Sequence, residues 1–437
     1  MDVLIKILQF IASFSLLVFV HEMGHFIFAK IFGMRVNKFY LFFNPWFSLV
    51  KFKIGETEFG IGWIPFGGYC SIAGMVDETM DTEALSKPAQ PWEFRSKPAW
   101  QRLFVMLGGV LMNVVLAVFI YIGMSHHYGE SYIANKDLEY GWQFSELAHE
   151  IGFRDGDKII DIDGKEYEKS QDVIKKIILS DGAEVGVLRN GQRLEISISE
   201  DYTARKLRDS VFMLEQIPFL VAEVPAEGGA AAAGIMAGDS IAAINGEEGS
   251  YFQLIEKLLG SAGTTAEVTV ARDSAGTKVF KTFPVAINDQ GQMGVKTQLP
   301  VTIKEYNFFQ SIPVGIKRTG AEIAEYAGQV KLIFNPKTEA YKNLGGPLLI
   351  GNLFPSTWSW PEFWRLTAFL SVVLAVMNIL PIPALDGGHV LFLLYEIITR
   401  RKPSDKFMEF AQMLGLFILL GLMIYVMGND IYRIFIK

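Results

Sequence analysis

Four apolar segments constrain what this 437-residue chain can fold into more than any other feature. The clearest, residues 103–124, is long enough to cross a bilayer of about 30 Å and has Asn113 as its only strongly polar side chain. The others cover about residues 3–32, 366–380 and 410–427. Half of all residues are apolar and the mean hydropathy is positive, as is typical of membrane proteins. The sequence therefore predicts a polytopic α-helical membrane protein with four transmembrane helices.

Charge and cysteine content narrow the remaining possibilities. A net charge of −7, without a basic cluster interleaved with aromatic residues, argues against binding to nucleic acid. The single cysteine, Cys70, excludes an intrachain disulfide and a cysteine-based zinc site. A cleaved signal peptide is the alternative interpretation of the first apolar segment, but the segment is too long and no small-residue cleavage site follows it. We therefore expect a retained first membrane helix.

The first apolar segment contains His21, Glu22 and His25 in the pattern His-Glu-x-x-His. On an α-helix, histidines at positions i and i+4 lie on one face and can bind one Zn²⁺, with the glutamate placed to act as a general base. A chance match is the alternative, because the pattern fixes only three positions. Charged groups at membrane depth cost about 2.5–3.5 kcal/mol each on insertion scales, which favours a functional role. The motif therefore predicts half of a zinc-protease site.

A catalytic zinc site needs a third protein ligand, which must come from elsewhere in the chain. Pro381 and Pro383 interrupt the third apolar segment, and Asp386 follows the interruption. We predict Asp386 as the third ligand. His389 is the competing candidate, although a histidine at this spacing is more often packed against the site than bound to the metal.

The first loop between membrane segments is rich in β-strand signals. Residues 39–43 and 49–54 are strand-like, and after a turn at Gly55-Glu56 residues 58–68 alternate at period two with glycines. The pattern predicts a β-hairpin or small sheet, whose backbone must be covered by protein or face water if it enters the bilayer. An exposed strand edge beside a catalytic site could pair with an extended substrate.

The hydrophilic region between the second and third segments contains an internal repeat. Alanine, glycine, isoleucine and Gly-Asp positions over residues 148–164 recur at residues 230–246, an offset of 82 residues. This offset is the size of a small domain, so we expect two tandem β-rich domains, with spacers that bind nothing as the alternative.

After the repeat, apolar residues at helical spacing over 316–334 predict an amphipathic helix that lies on a partner or on the membrane surface.

The distribution of lysine and arginine predicts the membrane orientation. Both residue types are concentrated in the first and third loops, which the positive-inside rule assigns to the cytoplasm. Both termini and the repeat are then expected on the opposite side of the membrane. The His-Glu-x-x-His motif is expected in the cytoplasmic half of the first helix.

Together these motifs resemble the site-2 protease family of intramembrane zinc metalloproteases. The resemblance is carried by His-Glu-x-x-His, by the repeat, which is similar to the PDZ domains of bacterial proteases, and by the run Asn378-x-x-Pro-x-Pro-x-Leu-Asp386-Gly387. It implies a Zn²⁺ cofactor and a multi-pass protein of the bacterial inner membrane with a periplasmic PDZ pair. The implied substrates are transmembrane proteins in the lipid bilayer, such as an anti-sigma factor already cut once, and remnant signal peptides.

The resemblance and the residue chemistry together assign the catalytic roles. The zinc ligands are His21, His25 and Asp386, and Glu22 is the general base. Asn378 could donate to the oxyanion or to the backbone of an unwound substrate.

Substrate contacts are expected from two glycine-containing stretches. The re-entrant β-hairpin of the family maps onto the first loop, with Gly60, Ile61 and Gly62 near the substrate. In the second PDZ-like copy, Gly291 and Gly294 lie in a stretch similar to a carboxylate-binding loop, where consecutive backbone N–H groups could hold a C-terminus.

The predicted boundaries follow the motifs along the chain. They are 1–32 for the first transmembrane helix, 33–100 for the cytoplasmic-side loop with its re-entrant hairpin, 101–125 for the second helix, 126–217 and 218–302 for the PDZ-like domains, 303–360 for the amphipathic helix and connector, 361–399 for the third transmembrane helix and 408–430 for the fourth.

Two other functional classes fit part of the pattern. A PDZ-containing membrane adaptor without chemistry would not need Glu22 or Asp386, and both are present. A zinc transporter could use intramembrane histidine and aspartate, but it needs neither a glutamate between the histidines nor a strand-rich loop.

Overall fold

The computed structural model describes residues 2–75, 88–209, 211–274 and 277–435, so residues 76–87 of the predicted cytoplasmic-side loop lie outside the described part. The chain divides into two compact units. The first unit comprises Met1–Gly129, Glu305–Phe334 and Tyr341–Lys437, and the second comprises Glu130–Lys304 and Asn335–Ala340.

The α-helices are described first, in chain order. They are Asp2–Ile31 (α1), Ala99–His127 (α2), Glu146–Ile151 (α3), Ser170–Leu179 (α4), Thr203–Lys206 (α5), Gly229–Ala233 (α6), Tyr251–Gly260 (α7), Phe308–Phe334 (α8), Pro347–Asn352 (α9), Trp360–Ile379 (α10), Asp386–Thr399 (α11) and Asp405–Phe435 (α12).

The β-strands lie between α1 and α2 and in the second unit. They are Val36–Phe43 (β1), Val50–Ile54 (β2), Thr57–Ile61 (β3), Ile64–Ile72 (β4), Glu130–Tyr132 (β5), Trp142–Phe144 (β6), Lys158–Ile162 (β7), Ala183–Arg189 (β8), Gln192–Ile198 (β9), Met213–Glu215 (β10), Phe219–Glu223 (β11), Ser240–Ile244 (β12), Glu247–Glu248 (β13), Thr265–Ser274 (β14), Thr277–Ala286 (β15), Lys296–Gln298 (β16) and Thr302–Lys304 (β17).

Within the described residues, four helices of the first unit are long and apolar enough to cross a membrane. They cover Val3–Ile31, Ala99–His127, Trp360–Ile379 and Phe410–Tyr432. Each coincides with one of the four apolar segments, so the predicted helices are present there. That all four cross the membrane stays a prediction. The side of the membrane on which each end lies stays a prediction.

Helix α2 is the centre of the first unit, because α1, α8, α10 and α11 all pack against it. Two glycines allow α1 to approach closely. A Cβ atom on Gly24 would lie 2.1 Å from the Gly108 carbonyl oxygen, and one on Gly108 would lie 2.6 Å from the Gly24 carbonyl oxygen. Gly24 and Gly108 therefore permit the backbones of α1 and α2 to pack closely.

The third apolar segment is broken where its prolines predict. Helix α10 ends at Ile379 and α11 begins at Asp386, so the predicted helix over 361–399 is two helices joined by a proline-containing turn. Gly387 lets the two helices meet, since a Cβ atom there would lie 2.1 Å from the Leu380 carbonyl oxygen. Asp386 thus opens a helix directly after the break.

The predicted amphipathic helix is α8, and its partners are helices of the same unit. Val330 of α8 is buried in a cluster with Ala117 of α2 and Val376 of α10, and Ile323 and Tyr326 pack against that cluster. Its apolar face therefore covers α2 and α10.

The glycine-rich segment before α10 is fixed by the last helix. Asp430 of α12 is buried and accepts hydrogen bonds from the backbone N–H groups of Gly346 (2.8 Å) and Leu349 (3.2 Å). The neighbouring Asn429 donates to the Leu344 carbonyl oxygen at 2.7 Å. Side chains at the end of α12 thus satisfy backbone groups that the glycine and proline residues leave without regular partners.

The strand-rich loop forms a four-stranded sheet in the order β2-β3-β1-β4. Strand β3 pairs with β2 in antiparallel fashion and with β1 in parallel fashion, so Gly60 lies opposite both Lys51 and Tyr40. Gly60 and Ile61, which the sequence places near the substrate, do not lie on an exposed strand edge, because both sides of β3 are already hydrogen-bonded. The edge strands of this sheet are β2 and β4.

The second unit contains the internal repeat as two copies of one arrangement. The first copy runs α3-β7-α4-β8-β9, and the second runs α6-β12-α7-β14-β15 with the additional two-residue strand β13 between β12 and α7. Each copy also has its own buried apolar cluster. The two copies therefore share a local architecture, and their division into two tandem PDZ-like domains stays a prediction.

An arginine–aspartate pair explains the Gly-Asp of the repeat. Asp157 accepts two hydrogen bonds of 2.7 Å from Arg189, and Asp239 accepts two of 2.7 Å from Arg272. Both aspartates are buried, so each needs such a bidentate cation to compensate for lost hydration. In the first copy this ion pair joins the turn before β7 to β8. In the second copy it joins the turn before β12 to β14.

Candidate metal centre

Three side chains predicted as ligands converge in the first unit. His21 and His25 lie one turn apart on α1, and Asp386 is the first residue of α11. Asp386 Oδ2 lies 3.2 Å from His21 Nε2 and 3.4 Å from His25 Nε2, and the two Nε2 atoms are 3.3 Å apart. The break between α10 and α11 is what brings the aspartate to the two histidines.

These distances are those of three corners of a zinc-sized tetrahedron. Ligand bonds of about 2.0–2.1 Å in tetrahedral geometry separate the ligand atoms by about 3.3–3.4 Å. Asp386 Oδ2 is also buried and accepts no hydrogen bond from the described residues. A buried carboxylate oxygen of this kind is unfavourable unless a cation is bound, so the donor set fits Zn²⁺ with a fourth position open.

Helix α2 forms the wall behind the histidines. The Nδ1 atom of His25 lies 2.8 Å from the Val105 carbonyl oxygen, which fixes the ring with Nε2 turned toward the cluster. Gly109 gives the rings room, because a Cβ atom there would lie 2.7 Å from both His21 Nδ1 and His25 Nε2. Any larger residue at position 109 would displace at least one imidazole.

Glu22 is next to β4. Its carboxylate accepts a hydrogen bond from the backbone N–H of Cys70. The Gly68 position is also tight, since a Cβ atom there would lie 3.5 Å from Glu22 Cγ and 2.7 Å from Val18 Cγ1. The sequence offered no sign that β4, rather than β3, contacts the glutamate of the motif.

Asn378 is the fourth predicted side chain that the structure brings to the cluster. Its Nδ2 lies 3.4 Å from His21 Nε2, on the last turn of α10. An amide donor is thus available beside the predicted ligands.

His389, the competing ligand, is not in the cluster. It lies on α11 one turn after Asp386, and its Nε2 is 3.1 Å from Nε2 of Gln412 on α12. Within the described residues, the group that could hold a metal ion contains His21, His25 and Asp386. The geometry therefore favours Asp386 over His389.

The predicted carboxylate-binding loop belongs to the second unit. The N–H of Gly291 donates to the Asn288 carbonyl oxygen at 2.9 Å, and the N–H of Gln292 donates to Asn288 Oδ1 at 2.8 Å. Gly291 and Gly294 have φ angles of 74° and 82°, which explains why glycine stands at both positions. Because two of the loop's N–H groups are already bonded, binding of a C-terminus at Gly294 stays a prediction.

Asn113 and Val105 are site residues that sequence reasoning did not assign. Asn113 Nδ2 lies 3.3 Å from His21 Nδ1. The sequence could have indicated a functional role for Asn113, because it is the one strongly polar side chain in the otherwise apolar segment 103–124. No side-chain signal could identify Val105, which contributes only its carbonyl oxygen.

Comparison with known proteins gives one consistent result. Residues 9–422 match the family described as peptidase family M50. A protein of Clostridium perfringens named "Putative zinc metalloprotease" is 27% identical over 428 residues, covering 96% of each chain. A protein of the same description from Xylella fastidiosa is 28% identical, covering 98% of this chain and 99% of its own. The "Regulator of sigma E protease" of Haemophilus influenzae is 26% identical, covering 98% of both chains.

Proposed function

Because the chain belongs to peptidase family M50 and is a zinc-dependent metalloprotease, we propose that it cuts the transmembrane segments of single-pass membrane proteins. The observation that carries this proposal is where the candidate ligands lie. His21 and His25 are on α1, and Asp386 follows α10. Both helices are long and apolar enough to span a membrane. A site formed between such helices is suited to a substrate that lies in the bilayer.

The proposed roles follow from the donor atoms. His21, His25 and Asp386 would hold the zinc ion through Nε2, Nε2 and Oδ2. When bound, the ion would supply a Lewis acid that acidifies a water molecule and polarises the scissile carbonyl group.

Glu22 would be the general base and then the general acid. It takes a proton from the attacking water and delivers it to the leaving nitrogen of the peptide. The hydrogen bond from Cys70 N–H holds the carboxylate on the β4 side of α1, so the proton is moved at a fixed position.

Asn378 would stabilise the developing charge. Its amide Nδ2 is 3.4 Å from His21 Nε2, so it would be placed beside the metal site to donate to an oxygen that becomes negative during the reaction. Donation to the backbone of an unwound substrate is the second possible role of this amide.

A helical substrate must unwind before attack, because its amide groups are engaged in internal hydrogen bonds. The edge of β4 offers replacement partners. Cys70 of β4, a terminal strand of the sheet, donates its N–H to Glu22, so an extended peptide paired along β4 would lie next to the catalytic base. We therefore propose that the substrate pairs with β4 and not with Gly60 and Ile61 of β3 or the adjacent Gly62.

The proposed setting is regulated proteolysis in a bacterial inner membrane. The name of the Haemophilus influenzae relative supports an anti-sigma factor as one substrate, and remnant signal peptides are a second class. The proposed topology has both termini and the PDZ-like pair in the periplasm, with the zinc site toward the cytoplasm.

The test is cleavage of a tagged transmembrane segment by the purified chain in detergent. We expect cleavage that stops when a zinc chelator is added and returns when Zn²⁺ is restored. The same segment fused into a soluble protein should be cut far less. Chelator-resistant cleavage, or equal cleavage of the soluble fusion, would contradict intramembrane zinc proteolysis.

A further inference from the structure

Asn113 is completely buried on α2 and has an unusual arrangement of partners. Its Nδ2 faces His21 Nδ1 at 3.3 Å, whereas its Oδ1 is buried and has no hydrogen-bond partner among the described residues. A buried amide oxygen left unbonded costs about 1–3 kcal/mol. The side chain therefore needs an explanation beyond packing.

The chemistry of His21 supplies the explanation. Its Nε2 faces Asp386 and His25, so Nε2 must be unprotonated to bind a metal ion. A neutral imidazole carries one N–H, which is then on Nδ1 and needs an acceptor. Turning the Asn113 amide by 180° puts Oδ1 opposite Nδ1–H, so the ring N–H gains the acceptor that it needs.

The position of Asn113 on α2 supports this arrangement. Val105, Gly109 and Asn113 are four residues apart, so they follow one another along one face of the helix. The Val105 carbonyl oxygen lies by His25 Nδ1, Gly109 leaves room for both rings, and Asn113 lies by His21 Nδ1. One face of α2 thus offers each histidine an acceptor on the side away from Asp386.

We infer that Asn113 is a positioning residue of the zinc site, whose Oδ1 accepts the Nδ1–H of His21 and holds Nε2 toward the metal. The inference rests on the proposed zinc ligands. Removing a partner of this kind lowers metal affinity by about 10- to 100-fold in other zinc sites. Asn113 does not touch the reacting atoms, so its effect acts through His21.

The experiment measures zinc affinity of the purified full chain by competition with a chromophoric chelator. Asn113→Leu keeps the size and loses the acceptor, whereas Asn113→Asp keeps an acceptor oxygen. Thr367→Val is the matched control: Thr367 is equally buried on α10 and bonds to Ser13, not to a predicted ligand. We expect affinity to fall about 10- to 100-fold in Asn113→Leu and to change less than about threefold in Asn113→Asp and Thr367→Val.

A second readout does not depend on the stability of the variants. In the zinc-loaded wild-type chain with ¹⁵N-labelled histidine, we expect His21 to carry its proton on Nδ1, with a resonance that moves in Asn113→Asp. Equal affinity of Asn113→Leu and wild type, equal losses in the leucine and aspartate variants, or a His21 bound through Nδ1 would overturn the inference. A wild-type chain that binds no zinc would instead contradict the proposed function.

Discussion

Each of the three candidate ligands contributes one atom to the cluster, and the zinc site depends on all three. The fourth position is left for water, as in other catalytic zinc sites. Within the described residues, the group that could hold a metal ion contains these three side chains. Loss of one side chain should therefore be seen in metal content before it is seen in stability.

The third ligand gives the first prediction. Asp386→Ala should lower zinc occupancy of the purified chain to the level of His21→Ala or His25→Ala, because each removes one of three ligands. His389→Ala is the matched control, since His389 is on the same helix but bonds to Gln412. Metal analysis after dialysis measures the result. Loss of zinc in His389→Ala, with zinc retained in Asp386→Ala, would show that the assignment of Asp386 as the third ligand is wrong.

Lys206 gives a second prediction, about pH. It is 1% exposed in the second unit, where its Nζ donates to the carbonyl oxygens of Ile177 (2.9 Å) and Ser180 (3.0 Å). Burial lowers the pKa of Lys206 to about 8, although Asp181 opposes the shift. Below pH 8 the lysine is charged in the folded and unfolded states, and the cost of burying that charge is fully present.

Between about pH 8 and the unfolded value of about 10.4, the folded state loses this proton first. The unfolded state then binds more protons, so stability should rise with pH, by about 3 kcal/mol in total. Urea-dependent pulse proteolysis of the second unit in the full chain measures this, with Lys206→Met as the reference that lacks the titrating group. A stability difference between the two chains that does not change from about pH 7 to pH 10 would contradict the assignment.

At the level of secondary structure, the sequence predicted which residues form strands but not the strand order. Alternation and the Gly55-Glu56 turn identify the β2–β3 hairpin, because both are local signals. The parallel pairing of β1 with β3, which moves Ile61 into the sheet interior, joins residues that no local pattern relates. The same limit applies to Asn113, whose polarity is visible in the sequence but whose contact with His21 depends on helix packing.

Pairing of substrate with β4 gives a third prediction. In a Cys70→Ser background with Glu22→Gln to retain substrate, a cysteine at Ser71 of β4 should form a disulfide with a cysteine near the scissile bond of the substrate. Ile61→Cys of β3 is the control, because Ile61 is 39% exposed and thus reactive but lies in an inner strand. Cross-linking that is stronger from Ile61 than from Ser71 would reject the β4 assignment.

Proline at Ile61 is a less direct probe. Ile61 is opposite both Val50 and Leu41, so proline there would disturb two strand pairs. We expect lower turnover, but from loss of the sheet and not from loss of a substrate hydrogen bond.

For the whole molecule, the main feature is the insertion of Glu130–Lys304, the longer segment of the second unit, between α2 and α8. This segment begins at Glu130 of β5 and ends at Lys304 of β17, and these two residues are paired across an antiparallel ladder. The two ends of the segment are therefore adjacent. This permits its removal with little disturbance of the chain ends that are then joined.

The role of the repeat gives a fourth prediction. The two PDZ-like copies could bind a newly exposed C-terminus of the substrate, or they could exclude substrates that carry bulky domains outside the membrane. Duplication favours exclusion, because only the second copy has a plausible carboxylate loop. Replacing residues 130–304 with a short Gly-Ser linker should let the enzyme cut a transmembrane segment that still carries a folded outer domain.

The control for this prediction is the same segment with a short tail, which both forms should cut. Substituting Gly291 or Gly294 alone should change cleavage of short substrates little. Rejection of the bulky substrate by a folded and active deletion variant would contradict exclusion by the repeat.

The central claim, that this chain is an intramembrane zinc protease using Glu22 as its base, is tested most directly by Glu22→Gln. Glutamine keeps the size of the side chain and cannot take up the proton, and position 22 is not a predicted ligand. The measurement is zinc content and cleavage of a transmembrane substrate on the same purified sample. We predict wild-type zinc content with cleavage reduced by about 100-fold or more. Full cleavage by a zinc-loaded Glu22→Gln variant would contradict the account.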